Sequence, residues 1–214
     1  MGIFYFPSEF VFWTKNTKHD VMKPFLMNTI ENIEKHHEDN TWGVENGFTS
    51  YHPRDDDEHT EFLNEKSLLQ HLVYTPVEEM IQKYTSDGIG IRLNIDKCIV
   101  DTAWYTKYRV GGTFDYHTHD DYCSKIGDTL FKPAISIIYI LNDENEKNTT
   151  EFFVPCNKHS MYNFPEFRFN TGTVSEIGEG TVIVFPSSLY HRVLPCIKPG
   201  RIVISYNVKC SFKS

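Results

Sequence analysis

The 214-residue chain has a formal net charge of −8, with 40% hydrophobic and 14% aromatic residues. This composition is typical of a folded globular protein with a sizeable core, and it excludes a largely disordered chain. The negative charge disfavours binding along a nucleic-acid backbone. The longest apolar run covers residues 134–141, far fewer than the roughly 20 residues of a membrane helix, so we expect no membrane partner.

Residues 1–88 are expected to be mainly helical. Helical spacing over 19–37 places Val21, Phe25, Ile30 and Ile33 near one stripe. A second helix is expected over 64–84, broken at Pro76. Its apolar stripe consists of Leu68, Leu69, Leu72, Val77 and Ile81. The charged segment between the two, 51–61, is interpreted as a solvated loop.

The sequence after residue 88 favours strands. β-branched and aromatic residues, separated by Gly, Pro, Asn and Asp, predict strands over 91–110, 134–142, 150–154, 171–177, 180–185 and 200–209. Many short strands without intervening helices are typical of a sandwich or a jelly roll. We therefore expect one domain, in which a helical part, 1–88, packs on a β-rich core, 89–214.

The cysteines indicate reduced thiols. There are five of them, scattered through the chain and never spaced as C-x-x-C. An odd number without close pairs argues against a disulfide framework or a zinc ribbon. The N-terminus also lacks the basic start and cleavage site of a signal peptide. We therefore expect a cytoplasmic protein.

Three histidines are candidate metal ligands. In the segment GGTFDYHTHDDY, residues 111–122, His117 and His119 are two residues apart, so on a strand both side chains point to the same face. His191 follows a buried strand and a short turn, and Arg201 begins the next strand ten residues later. The other histidines lie in helical, charged or irregular segments, where surface or capping roles are the simpler interpretation.

These segments resemble the prolyl-4-hydroxylase-like 2-oxoglutarate/Fe(II) dioxygenases. YRVGGTFDYHTH, residues 108–119, is similar to the first metal-binding motif of that family, and residues 134–142 are similar to its next core strand. FPSSLYHRVLPC with RIVISYN, residues 185–207, is similar to the closing block, in which a distal His precedes an Arg by about ten residues. The resemblance covers roughly residues 100–210. It is greatest to oxygenases of phages and marine bacteria, in which H-x-H often replaces H-x-D. A phage protein of this kind would work in the host cytoplasm.

The resemblance implies a mainly β fold with N-terminal helices, a double-stranded β-helix (jelly roll, cupin-like). It also implies Fe(II) held by His117, His119 and His191, with 2-oxoglutarate as cosubstrate. The 5-carboxylate of 2-oxoglutarate requires a buried cation, for which Arg201 is the candidate. Tyr108 and Asn207 are assigned to the same cosubstrate. The implied reaction is decarboxylation of 2-oxoglutarate coupled to hydroxylation of an unidentified small-molecule or peptidyl substrate.

The sequence departs from the family pattern at several positions. His119 stands where a carboxylate is usual, so either three histidines bind the metal or Asp120 or Asp121 supplies the carboxylate. We prefer the three histidines because side-chain parity and the Gly-Gly alignment agree on them. Ile140 and Val203 replace hydroxyl residues that contact the cosubstrate in many relatives. The alternative function is a jelly-roll metal-binding module with three histidines and no oxygenase turnover.

Overall fold

The computed structural model describes residues 2–5, 9–34, 43–51, 60–86, 95–119, 122–143, 149–154 and 167–212. Its helices are α1 (His19–Glu34), α2 (Lys66–Leu69) and α3 (Thr75–Ser86), with a π-helical segment over Gln70–Tyr74 and short 3₁₀ turns at Glu61–Asn64 and Thr171–Thr173. Its strands are β1 (Gly2–Tyr5), β2 (Phe10–Lys15), β3 (Val44–Thr49), β4 (Ile95–His117), β5 (Ser124–Ile126), β6 (Thr129–Asn142), β7 (Thr150–Val154), β8 (Phe167–Asn170), β9 (Thr181–Pro186), β10 (Tyr190–Val193) and β11 (Arg201–Phe212). In this described part of the chain, none of the helices is long and apolar enough to cross a membrane.

The strands form one curled antiparallel sheet. The order along it is β1-β2-β9-β6-β11-β4-β10-β7-β8, with β3 added to β4 and β5 added to β6. The first half of β4 pairs with β11, and its second half pairs with β10. The strand β4 therefore extends from the middle of the sheet to His117, where the candidate histidines lie.

A glycine pair lies where β4 passes from one partner to the other. Gly111 has a φ of 75°, which favours glycine because a side chain is strained there. At Gly112 a Cβ would lie 2.7 Å from the Asn46 carbonyl oxygen and 2.8 Å from that of Arg109. Both glycines also bond to the backbone of Cys196. Only two residues without side chains fit this bend.

The two faces of the sheet bury separate cores. Alternate residues of β11 point to opposite faces, and Ile202, Ile204, Tyr206 and Val208 belong to the core that the N-terminal helices cover. Val203 belongs to a second core, inside the curl of the sheet, with Phe152, Phe185 and Tyr108. This second core extends as far as the three candidate histidines.

Of the stripe expected on α1, Ile30 is buried as predicted, but the assignment of Val21 and Phe25 to the core was wrong. Met22, Leu26 and Ile30 are the buried residues, whereas Val21 and Phe25 are 77% and 50% exposed. Apolar residues occur on more than one side of this helix, so its sequence is compatible with two different buried faces. The apolar stripe expected over 64–84 agrees better with the structure. Leu68, Leu72 and Val77 are buried, and the π-helical segment ends just before Pro76.

Two other expectations about secondary structure were wrong. Residues 171–177 form a 3₁₀ turn followed by a second turn rather than a strand. The Asn170 side chain accepts a hydrogen bond from the backbone N–H of Gly172 at the start of the 3₁₀ turn. Residues 1–88 contain three strands besides the helices. Two of them, β2 and β3, pair with the distant strands β9 and β4, which no local pattern indicates, and β1 pairs with β2. The division expected at residue 88 lies outside the described residues.

Candidate metal centre and buried arginine

The three candidate histidines lie together at one end of the cavity. His117 is the last residue of β4, and its Cα pairs with that of His191 on β10. His119 follows β4, where its backbone N–H donates to the Ser187 carbonyl at 2.9 Å. The possible ligand atoms of the three rings lie within 4.8 Å of one another.

Backbone carbonyls orient two of the rings. The Nδ1 atom of His117 lies 2.7 Å from the carbonyl of Asp115, and Nδ1 of His191 lies 3.1 Å from that of Leu189. A carbonyl oxygen only accepts hydrogen bonds, so Nδ1 carries the proton in both rings and Nε2 keeps its lone pair. Metal-binding histidines are commonly held in this way.

The distance between the facing nitrogens suits a shared metal ion. Nε2 of His119 lies 3.1 Å from Nε2 of His191. Two nitrogens bound side by side to one metal, each about 2.1 Å from it, are about 3 Å apart. The arrangement is therefore one that can bind a metal ion.

All three histidines are held neutral. Burial lowers the pKa of His119 to about 3, with a smaller contribution from His117. Burial also lowers the pKa of His191 well below its usual value. The pKa of His117 is lowered by burial too, although its hydrogen bond to the Asp115 carbonyl opposes the change. Neutral imidazole is the form that binds metals.

Aromatic rings enclose the cluster. Phe185 and Phe114 lie 4.8 Å and 4.2 Å, centroid to centroid, from the rings of His191 and His117. Trp104 lies 5.5 Å from the ring of His119. These rings cover part of the cluster, in which His191 is buried and His117 and His119 are half-buried.

Arg201 lies in the same cavity and is 1% exposed. Its Nη2 donates to the hydroxyl of Thr150 at 3.0 Å, and its guanidinium carbon lies 5.6 Å from the centroid of the Tyr108 ring. Its Nε and Nη1 atoms are buried and have no hydrogen-bond partner within bonding distance among the described residues. The nearby Cys196 thiol, whose pKa is raised by burial against the opposing effect of the guanidinium, is only a weak acceptor. An unpartnered buried cation is costly, so this end of the cavity is suited to an anion.

A cavity of about 210 Å³ connects the histidines to Arg201. Asn207 also lines it, and its Oδ1 atom accepts a hydrogen bond from the Ser136 hydroxyl at 3.2 Å. Ser136 in turn contacts the Ser187 hydroxyl at 3.2 Å. Apart from the histidines, Arg201 is the one ionisable cation among the described lining residues.

The structure brings together all six residues singled out from the sequence: Tyr108, His117, His119, His191, Arg201 and Asn207. The hydroxyl that accepts a hydrogen bond from Arg201 belongs to Thr150 and not to Tyr108. Ile140 and Val203, the two apolar replacements noted in the sequence, are buried in the core inside the curl of the sheet. Asp120 and Asp121 lie outside the described residues.

Several lining residues were not foreseen. Thr150 begins a predicted strand, but its position opposite Arg201 depends on how β7 pairs with β10. Thr49 and Tyr51 come from the N-terminal part of the chain and line the cavity beside Trp104 and Thr106. No short motif marks them, since they reach the cavity only through the pairing of β3 with β4.

No family model matches the chain, and no curated protein matches it. Among solved structures, HygX from Streptomyces hygroscopicus with nickel and 2-oxoglutarate bound aligns with a TM-score of 0.56 at 8% identity, covering 92% of this chain and 82% of HygX. HygX with nickel, 2-oxoglutarate and hygromycin B bound gives 0.54 at 9% identity, covering 92% and 81%. The chain shares the fold of HygX. A Pseudomonas putida prolyl-4-hydroxylase aligns with a TM-score of 0.49 at 13% identity, covering 95% and 92%.

The likeness to HygX confirms the jelly roll expected from the sequence. The described part of the chain is mainly β, with 52% of it in strands of a curled antiparallel sheet. At such low identity the HygX comparison establishes the fold alone, and the chemistry has to be argued from the cavity itself.

Proposed function

We propose that the chain is an Fe(II)- and 2-oxoglutarate-dependent oxygenase. It would couple oxidative decarboxylation of 2-oxoglutarate to hydroxylation of a C–H bond in a small-molecule or peptidyl substrate. The observation that carries the proposal is Arg201, a buried guanidinium with two unpartnered nitrogens that shares one cavity with three neutral histidines. A site that only stored a metal ion has no need of this cation.

The histidines fit the metal that the proposal requires. Nε2 of His117, His119 and His191 would bind Fe(II) from one side, and the cavity side would stay open for other ligands. Bound there, the iron supplies the redox chemistry that dioxygen and 2-oxoglutarate undergo. The Asp115 and Leu189 carbonyls hold two of the rings, so little reorganisation accompanies metal binding.

Arg201 fits the distal carboxylate of 2-oxoglutarate. Its planar guanidinium offers parallel N–H donors, which match the two oxygens of a carboxylate. Thr150 fixes one end of the guanidinium, and the Tyr108 ring packs against it. Together they hold Arg201 in one orientation before the cosubstrate arrives. HygX, which shares the fold, binds 2-oxoglutarate and nickel together, in agreement with the proposal.

Asn207 is assigned to the other end of the cosubstrate. Its Oδ1 already accepts from Ser136, so its amide N–H groups are oriented away from that hydroxyl. Asn207 lines the cavity together with His119. In this position the amide is suited to donate to a ligand oxygen beside the metal.

The remaining wall of the cavity would face the substrate. It combines the Trp104 and Tyr51 rings, 5.2 Å apart, with the hydroxyls of Thr49 and Thr106, 3.3 Å apart. Since no carboxylate or lysine lies among the described lining residues, an uncharged group suits this wall best. The reacting part of the substrate is therefore proposed to be neutral.

A metal-binding module without turnover is the second candidate. The observation that favours it is the ligand set, which consists of three neutral histidines and no carboxylate among the described residues. Such a set also suits zinc or copper. The two functions differ in what they require of Arg201.

The test is an anaerobic titration of 2-oxoglutarate into the Fe(II)-loaded protein, followed by the metal-to-ligand charge-transfer band. The oxygenase predicts a saturable band in the wild type that Arg201→Gln weakens at least tenfold in affinity. Arg168→Gln is the matched control, because Arg168 is an exposed arginine paired with Glu151. Metal binding without any band in the wild type would leave the module as the function.

A further inference from the structure

Cys98 and Cys210 lie on opposite strands at directly paired positions. Their Cα atoms are partners in the β4–β11 pairing, and their Sγ atoms are 3.3 Å apart although 112 positions separate them in the sequence. Both side chains pack in the core that the N-terminal helices cover. The pair is thus separate from the cavity that holds the histidines.

The backbone at this pair suits a disulfide. Directly opposed residues of antiparallel strands have Cα atoms roughly 4.5–5.5 Å apart, within the range of roughly 4.4–6.8 Å found for disulfides. An S–S bond of about 2.05 Å requires the sulfurs to approach by about 1.3 Å. Small side-chain rotations provide that movement, so the strands need not separate.

The two thiols differ in access and acidity. Cys98 is partly exposed, whereas Cys210 is fully buried. The hydrogen bond from Cys210 lowers the pKa of Cys98, which favours its thiolate. The same contact, together with burial, raises the pKa of Cys210. An oxidant would therefore react first at Cys98.

We propose that Cys98 and Cys210 form a redox-sensitive pair that small-molecule disulfides, such as oxidised glutathione, convert to an intrachain disulfide. The Cys98 thiolate attacks one sulfur of the small disulfide, forms a mixed disulfide and releases one thiolate. Cys210 then loses its proton, attacks the Sγ atom of Cys98 and displaces the second thiolate. The two protein thiols are oxidised by two electrons, and the small disulfide is reduced to two thiols.

The bond would join the two strands that carry both ends of the cavity. Tyr108 and His117 lie on β4, and Arg201 and Asn207 lie on β11. Oxidation would therefore fix the register of these strands from the opposite face of the sheet. This effect does not depend on the proposed oxygenase activity.

The experiment treats the native full-length chain with oxidised glutathione, blocks the remaining thiols and maps peptides by mass spectrometry without reduction. We expect a Cys98–Cys210 cross-linked peptide in the wild type that dithiothreitol removes. Cys98→Ser should lose the cross-link. Cys123→Ser should keep it and serves as the matched control, since Cys123 is exposed and outside the pair.

Two results would overturn the proposal. One is wild-type protein in which Cys98 stops at the mixed disulfide with glutathione while Cys210 stays reduced. The other is native protein in which both cysteines react with the blocking reagent after treatment. Because both readings come from the wild type, they remain decisive even if a serine variant folds poorly.

Discussion

Replacing Arg201 with methionine should weaken 2-oxoglutarate binding strongly without destabilising the apoprotein. Methionine keeps much of the length of the side chain and removes the charge. In the folded protein the arginine has two buried nitrogens without described partners, one hydrogen bond to Thr150 and a contact with the Tyr108 ring. Its structural and functional contributions therefore have opposite signs.

The magnitude follows from these contacts. Each unpartnered buried donor costs about 1–3 kcal/mol, so two cost about 4 kcal/mol. The hydrogen bond from a charged donor contributes about 2 kcal/mol, and the cation–π contact contributes about 1 kcal/mol. The substitution should therefore stabilise the apoprotein by roughly 1 kcal/mol, which raises the melting temperature by about 2–4 °C in a chain of this size.

Two measurements check this prediction. Thermal unfolding of the metal-free protein should show an unchanged or higher melting temperature for Arg201→Met. Calorimetric titration of the metal-loaded variant should show 2-oxoglutarate binding weakened by about 2–5 kcal/mol, the range for removing one partner of a buried charge pair. Arg168→Met should do the opposite, with slightly lower stability and unchanged binding. A melting temperature several degrees lower in Arg201→Met, or wild-type affinity, would refute the reasoning.

Three further predictions concern the histidines and the helical layer. His119→Asp should retain iron, because a carboxylate replaces one ligand nitrogen. His117→Ala, in contrast, should lose iron. Metal analysis that found the iron lost from both variants would contradict the first expectation. The free energy of unfolding of the apoprotein should fall as the pH decreases from about 7 to 3, since the lowered pKa values make the unfolded state bind protons first. Each histidine adds a slope of up to about 1.4 kcal/mol per pH unit, and His119→Gln should flatten the curve measured by urea unfolding. Leu26→Ala should destabilise by about 2–5 kcal/mol, whereas Val21→Ala should change stability by less than about 0.5 kcal/mol; equal effects in urea would contradict the observed orientation of α1.

The parts of the site on regular strands were predictable from the sequence. Alternation of side chains along extended backbone places residues two apart, such as His117 and His119, on one face, although β4 itself ends at His117. The spacing from His191 to Arg201 fits a turn between two strands. The same argument gave most of the strands after residue 88. In these segments a local pattern coincides with the pattern of burial.

The parts that depend on distant pairing were not predictable. Thr150 reaches Arg201 because β7 lies beside β10, and Thr49 reaches the cavity because β3 lies beside β4. In α1, Val21 and Leu26 are both apolar, and only the sheet beneath the helix selects which of them is buried. Tertiary contacts rather than local propensity decided these positions.

The bend at Gly111 and Gly112 has a consequence for how such a site changes during evolution. Tyr108, beside the buried arginine, and His117, at the histidine cluster, are nine positions apart on β4. On a regular strand this odd spacing would place them on opposite faces, so the glycine bend and the register shift next to His117 bring both side chains into one cavity. One inserted residue between them would turn the following side chains to the opposite face, so His117 would leave the cavity. Loops elsewhere tolerate changes of length, but this interval does not. The number of residues between Tyr108 and His117 should therefore stay constant among divergent relatives, even where the residues themselves differ.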